Sequence, residues 1–316
     1  MNKILSLFLV LLIIVVPLCG CKEVTSRTFF AMDTIISLKA DNKNAVDLIY
    51  KSTLNIDKIL SFYNKDSSLY KLNKNKKIKA NNTLLSIVKT SKKIGESTDG
   101  AFNITLGNVS KLYDFNKETV PSTKSLRAAL KTVGLNNIII KNNYIYLKNN
   151  TSIDLGGIAK GYALNNAIKI LKEQKVKNAY LNFGGSIYYL SNTKKEVGIK
   201  KPFTKDEIIA TILVNNKSVV TAGNYERSFK KNGKLVHHIL NNKGLPQNND
   251  LNSVTVINED AAVADAYSTA LFVMGYKKAI SFCKKNNISA VFVLKDNSVK
   301  ISNTLEYKNN KIIIKE

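Results

Sequence analysis

Three short stretches carry side chains whose types and spacing could do chemistry. The first is Ile153-Asp154-Leu155-Gly156-Gly157-Ile158-Ala159-Lys160-Gly161-Tyr162. Its pattern predicts a strand ending at an acid, a glycine turn, and a helix starting near Lys160. Backbone N–H groups at such a turn present themselves to an anion, and the Lys160 ammonium adds a point charge. The glycine spacing is neither that of a dinucleotide-binding turn nor that of a P-loop, and a glycine turn also serves purely structural ends. A second one, Asn182-Phe183-Gly184-Gly185-Ser186, follows a strand-like run.

The second stretch is Ala264-Asp265-Ala266-Tyr267-Ser268-Thr269-Ala270, which reads as helix. Asp265, Ser268 and Thr269 are spaced by three and four, so their oxygens share one face. One carboxylate and two hydroxyls are hard donors suited to Mg²⁺. A capped, polar helix start packed on a core has the same composition. The third stretch is His237-His238, the two histidines of the chain. An imidazole moves a proton near neutral pH. Zinc is a poor match, because adjacent residues on a strand face opposite ways and no thiolate or third histidine accompanies them.

The elements that must position these groups follow from periodicity. Thr28 to Ala40 is rich in β-branched and aromatic residues and reads as one strand. Residues 44–62 read as an amphipathic helix through Ala45, Leu48, Ile49, Ile56, Ile59 and Leu60. Leu84, Leu85, Val88 and Ile94 mark another, ending at Gly95 or soon after. Ile138–Ile140 and Tyr144–Leu147 flank Asn142-Asn143, a hairpin signal. Residues 160–174 read as helix; Ala179–Phe183, Ile187–Leu190, Ile208–Val214, Ser218–Ala222 and Ser253–Ile257 read as strands. Residues 261–286 carry two helices broken near Gly275, and Ala290–Leu294, Val299–Ile301 and Lys311–Ile314 are the last strands. Without strict alternation of strand and helix, the order points to an α+β fold with a mixed α/β sheet.

Composition narrows the class. The 316 residues are 44% hydrophobic and 22% charged, which excludes a disordered tail, a collagen-like rod and a multi-span membrane protein. Lys and Arg number 48 against 23 acids, a net charge of +25. The arginines are only Arg27, Arg127 and Arg227, and Trp is absent. Nucleic-acid sites favour clustered Arg interleaved with aromatics. Here Lys and Asn are enriched along the whole length, as a codon bias would leave them. The reading is no nucleic acid, and a basic surface suited to an anionic membrane.

The N-terminus reads as an address. Lys3 gives a positive start, and Ile4 to Leu18 is apolar, short of the roughly 20 residues of a membrane span. Leu18-Cys19-Gly20-Cys21 resembles the lipobox of bacterial lipoproteins. That resemblance implies cleavage of residues 1–20 as a signal peptide, lipidation of Cys21, and an exported protein anchored at the outer face of the bacterial cell membrane. Residues 21–316 then form a single domain. Cys283 remains as a core thiol, with no partner for an intrachain disulfide.

In family order the chain also carries Met32-Asp33-Thr34, Ser61-Phe62-Tyr63, Gly100-Ala101-Phe102-Asn103-Ile104-Thr105-Leu106-Gly107, the Asp154 to Tyr162 block, Asn182 to Gly185, Thr221-Ala222-Gly223-Asn224-Tyr225-Glu226-Arg227, His237-His238-Ile239-Leu240, and Ala264 to Gly275. Together these resemble the ApbE family, the FAD:protein FMN transferases. The resemblance implies a transferase that takes FAD as substrate with Mg²⁺, moves FMN to a Thr or Ser hydroxyl of an exported partner flavoprotein, and releases AMP. It implies His238 as the base and Gly157 (by its carbonyl), Asp265, Ser268 and Thr269 as metal ligands. Met32, Tyr63, Ala101, Phe102, Asn103, Asp154 and Leu240 match positions that hold FAD, and Lys160 falls beside the phosphates. A relative that hydrolyses FAD to FMN and AMP, or a non-catalytic FAD-binding lipoprotein, would share most of these residues. Two departures stand out. Asn103 replaces the family's usual Asp, keeping an acceptor oxygen but losing the charge. The family's Asp-Pro-x-Thr-Gly becomes Asn241-Asn242-Lys243-Gly244, from which a less rigid loop is expected.

Overall fold

The computed structural model describes residues 24–315; the signal-like segment and Cys21 lie outside them. The chain opens with a hairpin, β1 (Thr25–Ala31) and β2 (Thr34–Ala40), followed by α1 (Lys43–Leu60), α2 (Ser68–Asn75), β3 (Lys77–Lys79) and α3 (Asn82–Ser97). The short α4 (Gly107–Ser110) and α5 (Thr123–Leu130) lead to β4 (Ile138–Lys141), β5 (Tyr144–Leu147) and α6 (Ala159–Glu173). Strands then dominate: β6 (Ala179–Phe183), β7 (Ser186–Leu190), β8 (Lys195–Lys200), β9 (Ile208–Val214), β10 (Ser218–Gly223), β11 (Ser228–Lys231), β12 (Lys234–His237) and β13 (Leu251–Asn258). After α7 (Ala261–Met274) and α8 (Tyr276–Asn286), the chain ends in β14 (Ser289–Leu294), β15 (Val299–Ile301), β16 (Leu305–Lys308) and β17 (Lys311–Ile314).

The framework is an eight-stranded sheet in the order β1-β2-β6-β7-β10-β13-β14-β15. Every pairing in it is antiparallel. Strand alternation sends Ile36, Leu38, Leu181 and Phe183 to one face, where they meet Ile49, Leu164 and Ala266 of the helices in one core. The helix α1 forms because Ala45, Ile49, Ile56 and Leu60 recur on one stripe, and the Asn42 side chain accepts from the Ala45 N–H as N-cap. On the other face, part of the sheet is covered by a four-stranded sheet, β16-β17-β9-β8. Val197, Ile212 and Ile312 of that layer pack on Val219, Ile257 and Val291.

Two expectations change. Residues 28–40 are not one strand: the chain reverses at Met32-Asp33, both left-handed at φ 55° and 56°. That conformation is costly for a long unbranched side chain, and the sequence carries none of the Asn or Gly that usually marks such a turn. The run before Asp154 is not a strand either. It is extended chain with a single bridge, Leu106 to Ser152. A buried side chain replaces the missing neighbour: Asn73 donates to the Ile153 carbonyl at 2.8 Å and accepts from the Ile153 N–H at 2.8 Å.

Candidate active site

The helix pair α6–α7 supplies one corner. Its contact is close because residue 161 is glycine: a Cβ there would stand 2.2 Å from the Ala261 carbonyl oxygen. The approach lets the Gly161 N–H donate to Asp265 Oδ2 at 2.9 Å. Asp265 is only 5% exposed, so this bond fixes one carboxylate oxygen and leaves Oδ1 uncommitted. A cross-clasp holds the same junction: Asn165 accepts from the Ala261 N–H and donates to Asp260 Oδ1, both at 2.6 Å.

Thr269, one turn beyond Asp265, reaches the glycine turn. Its Oγ1 lies 3.3 Å from where a Gly157 Cβ would be, and the Phe102 ring lies 3.2 Å from the same point. Ser268 is fully buried, and its hydroxyl donates to the Asp265 carbonyl at 2.8 Å. The donor set is one carboxylate with neutral oxygens. No three His, Cys, Asp or Glu side chains gather among the described residues. Such a set fits a hard divalent cation sharing its shell with substrate oxygens better than a transition metal.

The histidines sit at the end of the β11–β12 hairpin, whose turn is Asn232-Gly233 with φ 49° and 74°. As alternation requires, the two rings face apart. His237 is 3% exposed; its Nε2 lies 3.0 Å from the Gln247 carbonyl and its Nδ1 accepts from the Ile239 N–H at 3.3 Å. Only a neutral ring protonated at Nε2 satisfies both. Burial, more than Lys295, holds its pKa below the usual imidazole value, against the opposing Gln247 carbonyl.

His238 is exposed. Its Nδ1 lies 3.3 Å from the Arg227 carbonyl, which can only accept, so Nδ1 carries the proton and Nε2 a free lone pair. Desolvation lowers the His238 pKa, and the charges of Lys160, His237 and Arg227 lower it further, against the Arg227 carbonyl. Lys160 and His238, 78 positions apart, therefore feel one another.

The remaining residues differ in their surroundings. Asp154 Oδ1 accepts from the Gly156 N–H at 2.9 Å and shapes the turn. Tyr63 is 62% exposed, and Asp154, Arg227, Asp33 and Asp114 all act on its phenol, whose pKa is raised first by desolvation. Met32 is half-buried against the main core, while Leu240 packs on a smaller one with Val109 and Phe229. Ala101 is half-buried. Phe102 is buried beneath Gly157, so its ring supports the turn. Asn103 Oδ1 accepts from the Thr105 N–H at 3.0 Å and its hydroxyl at 2.6 Å. The Asn103 amide donates to Asn242 Oδ1 at 3.3 Å, so the two departures from the family pattern touch.

The altered loop is well tied. Asn241 Oδ1 accepts from the N–H groups of Lys243 and Leu245, and Tyr113 donates to the Gly244 carbonyl at 2.8 Å. Gly244 has φ 69°, and a Cβ would stand 2.7 Å from Leu126. The asparagine supplies locally the closure that Pro and Thr would give. Sequence reasoning missed Asn73 and Tyr113 as supports; a polar residue on a short helix gives no periodic signal. It also passed over Asn232-Gly233, a turn signal that would have placed both histidines on a hairpin.

The fold thus carries a carboxylate, hydroxyls, an ammonium and an imidazole on an α+β frame. Comparison with known proteins agrees. Residues 32–292 match the ApbE family. A protein of Klebsiella pneumoniae named FAD:protein FMN transferase is 34% identical over 68% of this chain and 70% of its own length. The Escherichia coli K12 protein of that name is 28% identical over 76% and 74%. The crystal structure of the ApbE protein from Thermotoga maritima superposes with a TM-score of 0.83 at 30% identity, covering 89% of this chain and 98% of that one. The apo flavinyl transferase ApbE of Pseudomonas stutzeri shares the fold at a TM-score of 0.79 and 24% identity. The chain belongs to the ApbE family.

Proposed function

We propose that this chain is a FAD:protein FMN transferase, exported and anchored through a lipid on Cys21, which moves FMN from FAD to a Thr or Ser hydroxyl of an exported flavoprotein. The names of its relatives support the reaction class. The observation that carries the reading is His238, with a bare Nε2, in the electrostatic surroundings of Lys160. In the proposed step His238 Nε2 takes the acceptor hydroxyl proton. The hydroxyl oxygen bonds to the FMN phosphorus, the bridging P–O bond breaks, and AMP leaves as its phosphate monoester. Lys160 holds the phosphates, and Tyr63, Met32 and Asp154 border the flavin or adenine. Asp265 Oδ1, Thr269 Oγ1, Ser268 and the Gly157 carbonyl are the groups that would hold Mg²⁺, which neutralises pyrophosphate oxygens when bound.

The test combines the purified chain, FAD, Mg²⁺ and an FMN-binding partner domain. Transfer requires AMP release together with a partner mass increase of one FMN, both lost with chelator. AMP without the mass increase favours hydrolysis or a wrong partner. FAD binding with neither product favours a non-catalytic FAD-binding lipoprotein.

A further inference from the structure

The three most exposed large apolar side chains among the described residues lie on one hairpin. Phe30 is 70% exposed, Val24 64% and Ile35 63%. Phe30 and Ile35 are opposite one another in the β1–β2 register, and Val24 continues the alternation Ser26, Thr28, Phe30. Ser37 and Lys39 extend the face along β2, and they pair with Asn182 and Tyr180 of β6. The face carries one cation and no acid. The four-stranded sheet covers this side of the main sheet from Ile187 and Tyr189 onward and leaves the β1–β2 end bare.

The chain itself indicates the occupant. Cys21 is three residues before Val24, and a chain spans at most about 3.6 Å per residue, so the two Cα atoms lie within about 11 Å. Phe30 and Ile35 flank the Met32-Asp33 tip, and the exposed face runs on from them through Thr28, Ser37, Ser26 and Lys39 to Val24. Val24 is at the opposite end of β1, beside Cys21. Apolar side chains interspersed with hydroxyls and a lysine suit the interface of a bilayer, and the net charge of +25 favours an anionic one.

We infer that the β1–β2 face is a membrane-resting surface, with Val24, Phe30 and Ile35 entering the interfacial layer of an anionic bilayer. This rests on the reading of Cys21 as the lipidated residue. The contact fixes the height of the Met32-Asp33 turn, and with it the candidate active site, above the lipid.

The chain has no Trp, so a single introduced indole is an unambiguous reporter. The full chain carrying Phe30→Trp is placed on vesicles of phosphatidylglycerol and phosphatidylethanolamine with brominated acyl chains. The comparison is Leu54→Trp, on α1 across the sheet. The Phe30→Trp emission is expected to shift to the blue and to be quenched at least about twofold more than that of Leu54→Trp. Equal quenching, or an unshifted emission, overturns the proposal. So does a blue shift without vesicles that follows protein concentration, which would assign the face to a second copy of the chain. Mass measurement of Cys21 separates the two readings. With Cys21 unmodified, quenching of Phe30→Trp still establishes the surface, and its absence overturns it.

Discussion

At the scale of single residues, two side chains have roles that substitution can separate. A base must be unprotonated to work, so the acid limb of kcat/KM reports the His238 pKa of the free protein. Its surroundings move that pKa from 6.5 toward 4, while its solvent-exposed area draws it back. The acid limb should therefore fall between these values, and a limb at or above 6.5 would contradict the assignment. His238→Ala should slow transfer at least about a hundredfold with FAD affinity kept, the usual size of a general-base effect. Loss of FAD affinity would make His238 a ligand contact. Asp265 Oδ2 accepts from the Gly161 N–H, and in the proposed reading Oδ1 would hold the metal. Asp265→Ala orphans a buried donor, at a cost of about 1–3 kcal/mol. Asp265→Asn keeps an acceptor for Gly161 and removes only the charge. It should melt close to the unaltered chain yet lose divalent-dependent turnover; retained turnover would remove Asp265 from the metal set.

At the scale of elements, the site depends on how closely helices and strands approach. Gly161→Ala puts a Cβ 2.2 Å from the Ala261 carbonyl, and backbone cannot yield as a side chain can. Overpacking of this kind costs about 1–3 kcal/mol or more. The same shift separates Gly161 from Asp265, so a lower unfolding midpoint and weaker metal dependence should appear together. Asn73→Ala leaves the N–H and carbonyl of Ile153 unpaired in the interior, with an expected loss of about 2–4 kcal/mol in urea unfolding. The sequence made the long elements legible because periodicity and turn residues agree there. Residues 44–62 become α1, Asn142-Asn143 turns the β4–β5 hairpin, and Gly275 divides α7 from α8. Elements stabilised by partners left no such signal. The helix α2 buries only Leu69, Leu72 and Asn73, and β8 is a charged strand with Val197 and Ile199 inward. The Met32-Asp33 turn opposes local preference, and the Gly184-Gly185 turn packs against it, so close that a Gly184 Cβ would meet Thr34 at 2.3 Å.

At the scale of the whole molecule, protonation sets where the fold is stable. Both histidines titrate below 6.5 when folded. Between that folded value and 6.5 the unfolded chain binds more protons, so stability is complete above about 6.5 and declines as the pH falls below it. Tyr113, Tyr225 and Cys283 act at the other end, because burial pushes each to about 12. The folded chain keeps those protons while the unfolded chain releases them above 9 for Cys and 10 for Tyr. Stability from these groups is complete below about 9 and is lost on the way to 12. The net charge of +25 sharpens the acid side, since every added proton raises self-repulsion in the compact state. A plateau of thermal midpoint from about pH 6.5 to 9 is expected, with loss on both sides. Added salt should lift the acid limb most, because at 0.1 M charges separated by more than about 10 Å are screened. A midpoint that rises steadily on acidification in low salt would contradict both the lowered histidine pKa values and the repulsion argument.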